Sequence, residues 1–379
     1  MTDTLHAIDD RSLNEDVSAD TKSTVAPVRH NRRSGLLLTV AVVLMLTAAW
    51  KVYRDREFWW LLVYSPLENA VAQQGGAGDS AQRSFDLRGT SIPLEEIHAG
   101  GPPKDGIPAI SSPKFVTARQ ATYLQDRDRV VGIASGREAK AYPLRILNYH
   151  EVVNDTVGRM PVAVTYCPLC DSTAVFDRRT PLGEREFGVS GLLYNSNVLM
   201  YDRKGKPESL WSQIAGSGVS GPARDKTLDL VPFEVTTWQD WRTRFPNTLV
   251  LDANTGHRRD YRANPYEAYL GSADLMFPAR PQSDRLPAKE AVLGVFVGDQ
   301  ARAYPLRELA RLKGPLEESL GGSRFTIEYN AEAKSARVTK ADDKVRWMYS
   351  FWFAWYAFRP QAELFQVMEQ NQRSVRQQP

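Results

Sequence analysis

Past residue 129 the chain alternates short apolar runs with turn residues, and the runs are of strand length. Residues 130–135 and 138–142 flank Gly136 and Arg137 and read as two strands around a tight turn. Pro143 then stands at the first position of an expected helix over 144–153, where its missing N–H is no loss. His150 and Glu151 fall late on that helix. Residues 154–158 read as a turn, 161–166 as a strand, 167–170 as a tight loop, and 173–177, 185–190 and 198–202 as further strands. A short helix is expected over 237–245, stopped by Pro246, with a strand at 248–251. The expected fold class is therefore α+β and β-rich.

The pattern differs before residue 129. Residues 1–34 are polar without periodicity and read as a disordered tail. Residues 35–50 carry no charge over 16 positions, and the apolar run reaches 53 if Lys51 snorkels to the interface. A spanning helix needs roughly 17–25 residues, so 35–53 is adequate. The charged run 54–57 and the aromatic cluster 58–64 follow, the latter as an interfacial patch. Thr47, Ala48 and Ala49 would suit a signal-peptidase site. The long region ahead of the run favours an uncleaved signal anchor, with the tail in the cytoplasm and the main domain periplasmic or extracellular. Residues 54–84 form a membrane-proximal linker, flexible by composition at 73–80. Residues 92–110 are rich in Gly and Pro but keep recurring apolar positions, which suggests an ordered arm.

One segment recurs. Residues 130–147 and 292–309 align without a gap and share 10 of 18 positions. Trp238, Trp241 and Pro246 recur as Trp352, Trp355 and Pro360 at the same spacing. This predicts a degenerate internal duplication of a strand-hairpin, helix and strand unit, with a first repeat over 85–259 and a shortened second over 260–379. The second lacks the His–Glu pair, the C-P-L-C motif and the segment 190–197. A copy that keeps every reactive residue suggests that the first repeat is active and the second is support.

Composition narrows the function classes. The net charge is +3, from 48 basic and 45 acidic side chains, too balanced for nucleic-acid binding. Nine Trp and fifteen Tyr fit structural aromatics in a β-rich core, Trp211 among them. There is neither a phosphate-cradling loop nor a dinucleotide fingerprint. The two cysteines, Cys167 and Cys170, are the only ones in the chain. In an exported domain of this size, a single pair is doing something other than stapling a small core.

Three readings of this region compete. Cysteines two residues apart close a disulfide readily, and one of them often has a lowered pKa. Cys167 would be the nucleophile, Cys170 the resolving thiol, and His150 a base or charge partner, with Glu151 beside it. The same loop could be a knuckle for zinc or copper. Cys167, Cys170 and His150 would then be ligands, with Glu151 or Asp171 as a fourth for zinc, while copper(I) would accept two sulfurs. The third reading is a binding or structural module with 190–197 as its ligand loop. A serine nucleophile elbow needs G-x-S-x-G. Gly188 and Ser190 begin it, but the closing position is Leu192. Asn154 and Asp155 read as turn residues, Asp177–Arg178 and Asp202–Arg203 as charge pairs at strand ends, and Tyr142 and Arg145 as structural. The partners expected are the membrane, through the N-terminal helix, and a small-molecule or protein thiol.

Taken together, H-E-V-V-N-D from His150, Y-C-P-L-C-D from Tyr166, F-G-V-S-G-L-L-Y-N-S-N from Phe187 and E-S-L-W-S-Q from Glu208 carry a resemblance. The chain resembles the bacterial family called domain of unknown function 3179, from Asp86 to the C-terminus. The resemblance implies an exported or membrane-anchored protein. Members that look like selenoproteins would favour a redox role for the Cys-x-x-Cys region.

Overall fold

The computed structural model describes Gln82 and residues 84–367. The expected tail, membrane span and most of the linker lie outside these residues. Among the described residues no helix is long and apolar enough to cross a membrane.

The described chain is β-rich α+β. In chain order, its principal elements are β1 (Arg129–Ser135), β2 (Glu138–Pro143), α1 (Leu144–His150), β3 (Val152–Val157), β4 (Met160–Cys167), β5 (Ser172–Asp177), β6 (Glu186–Tyr194) and β7 (Asn197–Arg203). Then come β8 (Glu234–Thr237), α2 (Trp238–Arg244), β9 (Leu249–Leu251), α3 (Glu267–Gly271), β10 (Ala291–Val297), β11 (Gln300–Pro305), α4 (Leu306–Leu309), β12 (Arg346–Phe351), α5 (Trp352–Phe358) and β13 (Glu363–Leu364). A seven-stranded sheet runs β13-β11-β10-β12-β5-β4-β3. One five-stranded sheet runs β8-β1-β2-β9 and ends on Phe115–Thr117. Another is built on the β6–β7 hairpin, flanked by Ile97–Ala99 on one side and Leu210–Ser212 on the other.

The seven-stranded sheet is buried on both faces. Successive residues enter opposite cores: Val152, Ala163, Cys167, Ala174 and Val292 enter one. Val153, Val162, Val164, Val175 and Leu293 enter the other. That is why 161–166 lacks the polar alternation of a half-exposed strand.

The two matched segments occupy like positions in different sheets. In each, a hairpin pairs Val with Pro, Val130 with Pro143 and Val292 with Pro305. A third strand lies antiparallel to the first, β8 on β1 and β12 on β10. A helix then leads to a short strand parallel to the second, β9 on β2 and β13 on β11. The shared Gly and Trp have one cause. A Cβ on Gly132 would lie 2.3 Å from the Trp241 ring, and one on Gly294 2.1 Å from Trp355, so only glycine lets each indole lie flat on its strand. A basic–tyrosine–acid cluster also recurs. Tyr142 Oη and Lys140 Nζ bond Asp155 at 2.6 and 3.0 Å, and Tyr304 Oη bonds Glu318 at 2.8 Å beside Arg302.

Four local expectations are corrected. The first helix ends at His150, not at 153, because Glu151 turns to φ 55° and the chain enters β3 at once. Pro143 is the residue before that helix, with ψ 131°, rather than its first member. Residues 154–157 are strand, not turn. The Asn154 amide bonds the Phe187 backbone in both directions at 2.8 Å, imitating a ladder pair, and Asp155 serves Tyr142 and Lys140. The expected neighbour pairings also differ: Asp177 holds Arg179, Arg178 holds Glu184, and Arg203 holds Asp105.

Candidate functional site

The abrupt end of α1 brings Glu151 to the cysteines. The Glu151 amide still donates to Leu147 O at 2.8 Å, while its carbonyl already accepts from Tyr166 N at 2.8 Å. Glu151 thereby sits opposite the end of β4, where Cys167 is the last strand residue. Pro168 and Leu169 turn the chain, with Cys170 N donating to Cys167 O at 3.2 Å. Asp171 takes φ 45° and β5 begins. Cys170 O accepts from Phe351 N at 2.7 Å, which ties the loop to the start of α5.

Both cysteines are free thiols, and both are buried, Cys167 1% and Cys170 0% exposed. They point at one acceptor, the Ser196 carbonyl, at 3.7 Å from Cys167 Sγ and 3.1 Å from Cys170 Sγ. Ser196 belongs to the β6–β7 turn, where Asn195 and Ser196 both have positive φ, 51° and 61°. That is the backbone a two-residue hairpin loop needs, and asparagine suits it.

Beneath the turn lies a closed polar network. Ser172 Oγ donates to Gln213 Oε1 at 2.7 Å, and Asn197 Nδ2 donates to Ser172 Oγ and to Gln213 Oε1 at 3.0 and 2.8 Å. Gln213 Nε2 donates to Thr165 Oγ1 at 3.1 Å. All four residues are buried. A network satisfied in this way holds one geometry, since any rearrangement strands a polar group in a dry core.

The two thiols are made unequal by their surroundings. Burial works to raise the Cys167 thiol, yet hydrogen bonds from the Cys170 thiol and from the backbone amides of Val198, Cys170 and Leu169 outweigh it and hold it below the ordinary thiol value. Burial and the neighbouring sulfur push Cys170 up. Burial first, and the charge on Cys167 second, raise Glu151 well above the usual carboxylate range. The site is thus a buried dithiol beside a buried carboxylic acid. Tyr269, on α3, completes it, its hydroxyl donating to Leu169 O at 2.8 Å. Lys289 sits 3.5 Å from the centre of the Tyr269 ring and holds Ser272 O at 2.7 Å.

His150 is engaged elsewhere. Its Nδ1 lies 2.7 Å from Pro108 O, and its Nε2 lies 2.6 Å from Tyr261 Oη, which in turn meets Thr255 Oγ1 at 2.6 Å. A carbonyl only accepts, so Nδ1 carries the proton and Nε2 accepts from the phenol. Burial drives its pKa down to about 4, and His257 and Arg259 add to the effect against the Pro108 bond. His150 is therefore neutral, with both ring nitrogens occupied. Asp171 is likewise taken, accepting from Arg129 Nη1 and Tyr166 Oη, each at 2.9 Å. Among the described residues no group of three or more His, Cys, Asp or Glu side chains is arranged to hold a metal ion.

The structure accounts for the remaining candidates. Ser190 is buried, donates to Leu199 O and accepts from Leu192 N at 3.0 Å, so its hydroxyl shapes the bulge in β6. Trp211 is fully buried in the dithiol's core. Segment 190–197 forms strand, bulge and hairpin turn. Two cavities of about 300 and 670 Å³ flank β8, and neither is lined by a residue of the dithiol site. Sequence reasoning missed Tyr269, which has no motif around it, and the Thr165–Ser172–Asn197–Gln213 network. For Gln213 a signal existed, since it closes the E-S-L-W-S-Q segment.

No curated protein and no solved structure matches the chain. The family model described as "Protein of unknown function (DUF3179)" matches residues 104–348, a span that holds the dithiol, Glu151, the β6–β7 turn and both matched hairpins. The chain belongs to that family.

Proposed function

We propose that the protein carries out thiol–disulfide exchange at Cys167 and Cys170, with Glu151 moving the proton. The observation that carries this reading is the asymmetric, buried dithiol beside a carboxylic acid, with both thiols aimed at the Ser196 carbonyl. Cys167 thiolate attacks a partner disulfide, forming a mixed disulfide and expelling one partner thiolate, which takes the Glu151 proton. Glu151 carboxylate then takes the Cys170 proton. Cys170 attacks Cys167 Sγ, closing the disulfide and expelling the second partner thiolate, which is protonated in turn. The balance is one dithiol oxidised and one partner disulfide reduced to two thiols; the reverse sequence oxidises a partner dithiol. His150 stands outside this chemistry and supports the arm through Pro108.

In the same reading the two like-placed units descend from one duplicated unit, and only the first kept the dithiol. The domain is held at the membrane by residues 35–53, on the exported side. A reporter fused after Pro379 that is active only in the cytoplasm would reverse that orientation.

The test is a free-thiol count and metal content on the purified full chain, with and without reductant. Two thiols appearing only after reduction, without metal, support exchange chemistry, and Cys167→Ser or Cys170→Ser should then abolish turnover of a model disulfide while the fold survives. Stoichiometric metal lost in Cys170→Ser would overturn the proposal. So would two thiols that no oxidant can join.

A further inference from the structure

Residues 272–286 form no helix or strand, and 273–286 make no backbone–backbone hydrogen bond among the described residues. They cross the β6–β7 turn and are pinned to it at two points. Ser196 Oγ donates to Phe277 O at 2.6 Å, and Arg280 N donates to Asn195 Oδ1 at 2.9 Å. The Ser196 carbonyl of that same turn faces both sulfurs, 3.1 Å from Cys170 Sγ and 3.7 Å from Cys167 Sγ. One two-residue turn therefore touches the dithiol on its inner side and the strap on its outer side.

We propose that oxidation of the Cys167–Cys170 pair by a partner disulfide releases the strap 272–286 from the Asn195–Ser196 turn, so that the disulfide form is the open one and the substrate it oxidises is a dithiol. The inference rests on the exchange reading above. Closing the disulfide removes the Cys170 S–H donor. The Ser196 carbonyl is left buried without it, and a buried acceptor without a donor drives its segment toward water. The turn can move only by letting go of Phe277 O and Arg280 N. The strap has little internal hydrogen bonding, so once released it pivots on Ala279 and Leu286, which are buried in the core. In the open form a partner dithiol reaches the sulfurs. One partner thiolate attacks the disulfide, the second closes the partner disulfide, and the two protons end on Cys167 and Cys170. The regenerated Cys170 thiol rebinds Ser196 O and the strap closes.

Hydrogen exchange on the full chain in detergent tests it, comparing protein treated with dithiothreitol against protein treated with diamide. Mass spectrometry verifies the disulfide by the loss of two hydrogens. The Arg280 amide, which Asn195 Oδ1 holds in the dithiol form, is expected to exchange on the order of 10-fold faster in the disulfide form, with β4 and β5 unchanged. A verified disulfide with unchanged exchange at Arg280 sinks the coupling but leaves the exchange reading standing. A chain in which diamide forms no disulfide removes both. A second variant, Ser196→Ala, cuts the Phe277 contact without touching the carbonyl. It should speed exchange of the Arg280 amide and alkylation of Cys167 in the dithiol form, and unchanged rates there also overturn the proposal.

Discussion

His150 and Glu151 are neighbours in the chain, yet they titrate in opposite senses for reasons that belong to their separate surroundings. Glu151 is raised by burial and by Cys167, so the folded state holds a proton that the unfolded chain gives up. Its contribution to stability is whole below the ordinary value of 4.5 and is lost as pH rises through the higher folded value. The neutral Glu151→Gln variant should melt with wild type below that value and increasingly above it toward pH 8. Parallel melting curves across that range would show that Glu151 is ionised in the fold. The same variant should slow disulfide exchange without unfolding the chain. His150 has the opposite sign. Its folded value of about 4 lies below the ordinary 6.5, so its contribution is present above 6.5 and lost as pH falls toward 4. At about 1.4 kcal/mol per unit this is roughly 3 kcal/mol across the window. Ring resonances of His150 in a soluble fragment should stay neutral at pH 6. Protonation near 6.5 would contradict the buried tautomer described here.

At the scale of elements, glycine, proline and tryptophan set the two matched units. Gly132→Ala and Gly294→Ala each drive a methyl group into an indole that other side chains already enclose. Each should lose about 1–3 kcal/mol of stability in denaturant melts, as overpacked cores do. Gly271→Ala, where a Cβ meets nothing within 4 Å, should be within about 1 kcal/mol of wild type and serves as the control. Elements were most legible where local chemistry and packing agree, as in the β1–β2 hairpin, the strand of 161–166, the C-P-L-C turn and the helix before Pro246. They were misread where polar residues serve distant partners. Asn154 and Asp155 are good turn formers by themselves. Here the amide of one completes a ladder with Phe187 and the carboxylate of the other receives Tyr142 and Lys140, so both stay in a strand. The helix end was missed for a related reason, since nothing in the local pattern demands that Glu151 adopt a positive φ.

Among the described residues the seven-stranded sheet joins strands from both parts of the chain that carry a matched segment. β3, β4 and β5 come from the first half and β10 to β13 from the second, and they meet where Thr173 of β5 pairs with Tyr349 of β12. The same junction anchors Cys170 through Phe351. The described domain should therefore unfold in urea as one cooperative transition by both tryptophan fluorescence and far-ultraviolet dichroism. Two separated transitions would mean that the halves are independent.

By itself the sequence determined the β-rich class, the matched hairpins, the family and the cysteine pair as the place to look, because these depend on residue type, spacing and short-range pattern. It also put Glu151 and His150 within reach as candidates. Only the tertiary structure separated the surroundings of those two, burying the acid within electrostatic reach of Cys167 and engaging the imidazole with Pro108 and Tyr261. It alone brought Ser196 to Cys170 across 26 positions and Tyr269 to Leu169 of the C-P-L-C loop across 100. The physical reason is that proton affinity and access are set by what surrounds a group in a dry interior, and those surroundings are assembled by sheet pairing over long separations.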